Sequence, residues 1–320
     1  MITLPRVLLL LAALVPASAV AQTFPTRQVT IIAATTPGSL PDVLARRVAI
    51  QLSQKWGHPV VIENRPGGAY AIAATAVINA PADGYTLLVS EAGLYTTQPH
   101  LVKKRKDYAA SDLTPVSGMA RIPLAFVAHP SLGAKTIGEL IALAKAKPGA
   151  INYGTTGPGT APHLGVLLLE SMAKVKMTAV HYKGVSLANN DLLAGHIPLL
   201  AIAPSLAMPA YKAGKVNMLG IAGTQPIPQL PGVATVAETV PGFEMNVSFA
   251  FFARAGTPKD VIAKINADVQ EIVKSPDYQK FLEPQALQPM LGSADQLAKT
   301  MAAESDKMEK LIQEVNLSLE

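Results

Sequence analysis

Two short loops carry the residue types best suited to holding an anion. The first, Thr35-Thr36-Pro37-Gly38-Ser39-Leu40-Pro41-Asp42, lies between the apolar run that starts at Val29 and a helical pattern that opens near Asp42. A Gly/Ser loop feeding a helix leaves several backbone N–H groups without intrahelical partners, and the positive end of the helix dipole points the same way. The second, Thr155-Thr156-Gly157-Pro158-Gly159-Thr160, again follows a strand-like run and precedes a helix. Two such grips suit a small carboxylate. Either loop alone is more often the ordinary turn of a strand–helix unit.

Other chemistries fare worse. A serine hydrolase needs Gly-x-Ser-x-Gly at a strand-to-helix elbow, and Gly38-Ser39 lacks that frame. His58, His100, His129, His163, His181 and His196 show no metal-ligand spacing of the His-Glu-x-x-His kind. His163 and His181 could meet in a cleft, where polar packing is the expected role and a metal the rarer one. Gly157-Pro158-Gly159 comes too late in the chain, and lacks the third glycine, for a dinucleotide fold. A periplasmic enzyme therefore survives only through residues scattered in sequence. The basic cluster Lys103-Lys104-Arg105-Lys106 has no interleaved aromatics and reads as a solvated loop, with no nucleic acid as partner.

The elements that must carry the loops follow from periodicity. The first residues stand apart: Arg6, then an apolar run over 7–15 too short to span a bilayer, then Ala19-Val20-Ala21 before Gln22. Residues 1–21 are expected to be a cleavable signal peptide, with cleavage after Ala19 as the rival and a retained anchor as the structural alternative. An exported, periplasmic chain follows from that. The absence of Cys means that a core and not disulfides must hold it together. The formal charge is +5 over the whole chain, so removing Arg6 leaves 5 − 1 = +4, a mild field favouring small anions.

Beyond residue 22, short apolar runs alternate with amphipathic stretches, which predicts an α/β fold with mostly parallel strands. Strands are expected over 29–33, 59–63, 86–90, 115–120, 125–128, 151–154, 178–180, 199–203, 216–222 and 249–252. Helices are expected over 41–56, 70–79, 161–173, 186–193 and 205–211. Thr136 with Glu139 and Ser293 with Gln296 read as capping boxes, and Thr257 as a cap with Pro258 in the first helical position. The two glycine loops match in role, without an alignable repeat. Residues 22–122 and 248–320 are expected to form one domain and 123–247 a second. The chain would cross twice, near 118–123 and 246–248, which makes a hinge over a ligand cleft.

Several segments, in order and spacing, resemble the substrate-binding proteins of tripartite tricarboxylate transporters, the Bug family of periplasmic receptors. They are Pro37-Gly38 with Asp42, Pro59 through Gly67 (Pro-Val-Val-Ile-Glu-Asn-Arg-Pro-Gly), Asp83 through Leu88, Asp112 through Ser117, Tyr182-Lys183-Gly184, and Ala255 through Pro258. The resemblance implies a two-domain, hinged periplasmic binding protein of the type II kind with its ligand in the interdomain cleft. It implies a carboxylate ligand, no catalytic residues, no cofactor, and inner-membrane permease subunits as partners. A monomer is the default for such a receptor. Carried over by position, Thr36, Pro37, Gly38, Ser39 and Asp42 would hold one carboxylate, with Asp42 capping and ordering the loop. Thr155, Thr156, Gly157, Gly159 and Thr160, with His163, would hold another carboxylate or a polar tail. Glu91, Ala92, Gly93 and Leu94 would line the same cleft, and His181, Tyr182 and Lys183 would sit at a strand end of the second domain.

The chain also departs from the family pattern. Ala34 and Thr35 stand where Pro-Phe is common, Ser39 replaces a glycine, and Ala71 replaces an asparagine. Ile202 and Ala203 stand where Asp-Asn is common, and Ser248 where an aromatic is usual. These changes predict a roomier, more apolar pocket suited to an aromatic or branched acid over citrate. A receptor that closes on its ligand could equally present that shape to a signalling partner, so a sensor or adaptor is the main alternative to transport.

Overall fold

The structure is a computed structural model that describes residues 24–102 and 107–319. The expected signal peptide and the basic cluster at 103–106 lie outside the described residues.

The apolar run forms β1 (Val29–Ala33), flanked in parallel by β2 (Val60–Asn64) and β3 (Thr86–Glu91). Helix Leu40–Trp56 makes the first crossover and buries Leu44, Val48 and Leu52 against the sheet. Each such side chain contributes about 1.5–3 kcal/mol on burial. The long β4 (Leu113–Pro123) is followed by β5 (Ala125–Ala128), β6 (Asn152–Thr155), β7 (Thr178–His181), β8 (Leu199–Ile202) and β9 (Asn217–Ile221). β10 (Asn246–Arg254) and β11 (Gln288–Pro289) complete the set. One sheet has the order β11-β4-β10-β3-β1-β2, the other β7-β6-β8-β5-β9.

Both sheets are mixed, which corrects the expectation of mostly parallel strands. β10 runs antiparallel to both β3 and β4, and β5 antiparallel to both β8 and β9. The cause is the double crossing: the chain leaves the first sheet along β4 and returns along β10, so these neighbours must run in opposite directions. At the crossing, Leu124 N–H donates to Met245 O (3.2 Å), Met245 N–H to Ala222 O (2.8 Å), and Ala222 N–H to Leu124 O (2.7 Å). Three segments are thereby tied where one sheet gives way to the other.

The expected cap at Thr257 also differs. Helix Lys259–Lys274 starts later, with Pro258 at the N-cap, and the Thr257 hydroxyl donates to Arg254 O instead (2.8 Å). By contrast the Thr136 and Ser293 side chains do accept from Glu139 N–H and Gln296 N–H (both 3.2 Å).

Each sheet is covered on both faces. The last helix, Ala294–Glu314, joins the two halves: Leu297 and Met301 pack on the first sheet, and Met308, Leu311 and Ile312 enter the core of the second. Among the described residues no helix is long and apolar enough to cross a membrane.

Candidate functional site

The two glycine loops share one construction. In the first, Gly38 (φ +78°) precedes the N-cap Ser39, Pro41 occupies the first turn, and Gly38 N–H donates to the carboxylate of Asp42 (2.9 Å). In the second, Gly159 (φ +73°) precedes the N-cap Thr160, Pro162 occupies the first turn, and Gly159 N–H donates to His163 Nδ1 (3.0 Å). The shared string is Gly-[Ser/Thr]-x-Pro-[Asp/His], so the loops do align, contrary to the sequence reading. A proline in the first turn pre-sets φ and costs no hydrogen bond. The third helical residue reaches back to the glycine and fixes the loop's curl. In neither loop does the N-cap side chain cap its helix, which leaves first-turn amides free of side-chain acceptors.

Two more helices point the same way. Val185–Leu193 has Gly184 as N-cap and Pro204–Lys212 has Ala203, again with no side-chain cap. Ser39, Leu40 and Pro41, Thr160, Ala161 and Pro162, Val185, and Ala203 and Ser205 all line one cavity of about 610 Å³ between the sheets. Four positive helix ends therefore face one space, each worth about 0.3–1 kcal/mol to an anion when exposed and more once water is excluded. Ile122, Leu124, Ile202, Met245, Val247 and Phe249 form an apolar wall at the crossing.

Among the described residues no Lys, Arg or His lines the cavity, whereas Glu91 and Glu304 do. Burial pushes the Glu91 carboxyl above its ordinary value, partly opposed by the Tyr70 hydroxyl that donates to it (3.1 Å). Burial also raises Glu304, offset in part by Lys307 and Arg121 and reinforced by Glu244. At Asp42 burial pushes upward too, but hydrogen bonds from Arg46, Asn64 and Gly38 outweigh it and hold the carboxyl below its ordinary range. His163 is lowered to about 4 by burial and by neighbouring His181, so it stays neutral and can accept the Gly159 N–H.

Of the residues singled out in the sequence, Ser39, Glu91, Gly93, Thr156, Gly159 and Thr160 meet in this cavity. Thr36, Pro37 and Gly38 are exposed and outside the lining. Asp42 and His163 are buried behind their loops as the ties just described, and Thr155 is fully buried, its hydroxyl donating to Gly157 O (3.1 Å). His181 packs edge-on against His163 at 5.3 Å between ring centres, and Tyr182 OH donates to Asp191 (2.8 Å), so both lie outside the lining with exposed Lys183. The variant positions Thr35, Ile202, Ala203 and Ser248 do line the cavity, whereas Ala34 and Ala71 are buried outside it.

Sequence reasoning passed over Tyr70, Thr97, Gln98, Asn246, Ser205 and Glu304, which also line the cavity. The x-Pro starts of three of the four converging helices were a usable signal for Ser205. Nothing local marks Glu304, which reaches the cavity from mid-helix. Tyr70 opens the expected helix 70–79, but the observed helix begins at Ala71, and Gly67 through Tyr70 all have positive φ (+117°, +59°, +47°, +74°).

Known proteins are similar to this chain along most of its length. The UPF0065 protein in the tcbD–tcbE intergenic region of Pseudomonas sp. strain P51 is 32% identical over 298 residues, covering 92% of this chain and 88% of that protein. An R. palustris protein solved with adipate superposes with a TM-score of 0.76 at 32% identity, over 92% of this chain and 99% of the other. MatC from Rhodopseudomonas palustris with bound malate gives 0.72 at 28% identity, over 90% and 100%. Residues 44–317 match the model of the tripartite tricarboxylate transporter family receptor, and the chain belongs to that family.

Proposed function

We propose that this protein is an extracytoplasmic receptor that captures a small carboxylate between its two lobes and delivers it to the membrane permease of a tripartite transporter. The observation that carries this is the convergence of four uncapped helix N-termini on one cavity that, among the described residues, no Lys, Arg or His lines. Amide dipoles hold an anion without a counter-charge that would have to be desolvated. The family, and neighbours solved with adipate and malate, support the same ligand class.

In this reading the lobes are the expected 22–122 with 248–320, described here from 24 to 319, and 123–247, turning about the tied segments at Leu124, Ala222 and Met245. Closure brings the second loop over an anion docked at the first. Specificity then follows from pairing each buried donor, since an unpaired one costs about 1–3 kcal/mol. The apolar wall suits a ligand with a hydrocarbon or aromatic body.

The test is the melting temperature of the chain from Gln22 against citrate, succinate, aspartate, glutamate, nicotinate, benzoate and aromatic dicarboxylates. Acid at about 100 times its dissociation constant adds about 2.7 kcal/mol, a readable rise. Selective rises within the panel are expected. A flat response across it would contradict the carboxylate reading.

A further inference from the structure

The first-lobe segment that follows helix Pro276–Leu282 is fixed at both ends to the first sheet. Leu282 and Leu287 lie in the core of that sheet, and Gln288 and Pro289 pair with Arg121 and Ala120 of β4. Between those anchors the chain turns sharply. Leu287 N–H donates to Leu282 O (3.3 Å), Ala286 N–H donates to Glu283 O (3.0 Å), and Ala286 itself is left-handed at φ +55°. Glycine is the usual residue where a helix ends in this way, because a Cβ is disfavoured there. The turn therefore does not need the Ala286 methyl.

What the methyl meets is the other lobe. Ala286 is 2% exposed and packs in the core formed by Ala125, Ile202, Ala207 and Ile221. Gln229 Nε2, also of the second lobe, donates to Glu283 O of the same turn (3.0 Å). The intervening Gln285 lines the ligand cavity with Ala203 and Ser205, at the positive end of helix Pro204–Lys212. Beside the turn lies a second cavity of about 640 Å³, with Ile227 and Gln229 from one lobe and Glu283 and Leu287 from the other. The turn thus bridges the lobes at the edge of the cleft, with open space next to it.

We propose that the segment from Glu283 to Pro289 is a latch: anchored in the first lobe, it seats Ala286 in the second lobe when the cleft closes and withdraws when the cleft opens. This rests on the two-lobe receptor reading above. A segment held at Leu282 and Leu287 cannot follow the second lobe outward, so its contact must part. One methyl and one hydrogen bond are few enough to remake in every cycle. A contact present only in the closed form draws the equilibrium towards that form. The latch therefore tightens the hold on a bound acid without touching it.

The experiment uses whichever acid of the panel raises the melting temperature most, and measures its affinity by calorimetric titration. Pulsed dipolar spectroscopy follows closure as the distance between spin labels on Ile50→Cys of the first lobe and Leu187→Cys of the second. Both positions are exposed, and the chain supplies no Cys of its own. Ala286→Gly removes the methyl and eases the backbone. It is expected to weaken binding about fourfold, with the melting temperature of the acid-free protein unchanged or raised. Gln229→Ala is expected to weaken binding about fivefold, and the two together about twentyfold, with the labels approaching at correspondingly higher acid concentration. Unchanged affinity in both variants, or an acid-free melting temperature that falls in step with affinity, overturns the latch and leaves the receptor reading standing. Labels that keep one distance while the acid binds overturn the hinge and the latch together. No binding by any acid of the panel overturns the receptor reading as well.

Discussion

The loops at Gly38 and Gly159 have the same backbone and different ties, and the difference lies in charge. The first is pinned by a carboxylate that also accepts from Arg46 Nε (3.0 Å) and Asn64 Nδ2 (2.8 Å). The second is pinned by a neutral imidazole stacked near Tyr153 and edge-on to His181. A carboxylate behind an anion site needs neighbouring cationic and amide donors to keep its charge tolerable. An imidazole needs none, but it serves only while unprotonated. One lobe therefore has an acid-tolerant grip and the other an acid-sensitive one.

The largest asymmetry is expected from bulk at the glycines. A Cβ at Gly159 would lie 2.5 Å from Leu101 Cδ1 with φ at +73°, whereas at Gly38 it would meet nothing within 4 Å. Gly159→Val is expected to cost on the order of 3 kcal/mol in urea unfolding, and Gly38→Val only the backbone strain of about 1–2 kcal/mol. Equal losses would remove the distinction.

Next comes pH. Unfolded His163 takes its proton near 6.5 and the folded residue near 4, so the unfolded state binds more protons in between and stability falls as pH drops through that window. The loss is on the order of 3 kcal/mol, and His163→Gln should flatten it. Asp42, held below the ordinary carboxylate value, keeps its contribution through that window and gives it up only at lower pH. A slope that persists in His163→Gln would assign the acid sensitivity elsewhere.

Asp42→Ala strands Gly38 N–H and removes one of the two bonds donated by Asn64 Nδ2, the other going to Thr35 O (3.0 Å), and is expected to lower stability by about 1–3 kcal/mol. The smallest effect is Ser39→Ala, which removes one hydroxyl bond to Thr35 (2.8 Å) and no helix cap. A melting-temperature change corresponding to about 0.5–1 kcal/mol is expected. A larger one would mean that Ser39 caps after all.

Much of this frame is legible in the chain because its signals are local. Strand Val29–Ala33 and helix Ala161–Ala173 have the bounds their apolar runs and Gly/Pro borders announce. The caps at Thr136 and Ser293 follow from a three-residue spacing. What escapes is set by distant contacts. The reversal of β5 and β10 depends on where the chain changes sheets, which periodicity does not encode. Glu304 becomes a cavity residue because its helix leaves one core at Met301 and enters another at Met308. Tyr70 is opaque for a different reason: its left-handed backbone contradicts the preference of its own residue type, and its partner Glu91 is distant in sequence. The repeat Gly-[Ser/Thr]-x-Pro-[Asp/His] was present in the sequence, hidden by the extra glycine at position 157.

In the proposed receptor both loops hold one ligand at the same time. Amide chemical shifts of the ¹⁵N-labelled protein, titrated with the acid that raises the melting temperature most, check this. The expected result is movement of the Leu40 and Ala161 amides together, saturating with one dissociation constant. Movement confined to one loop, or different constants for the two, would contradict the account.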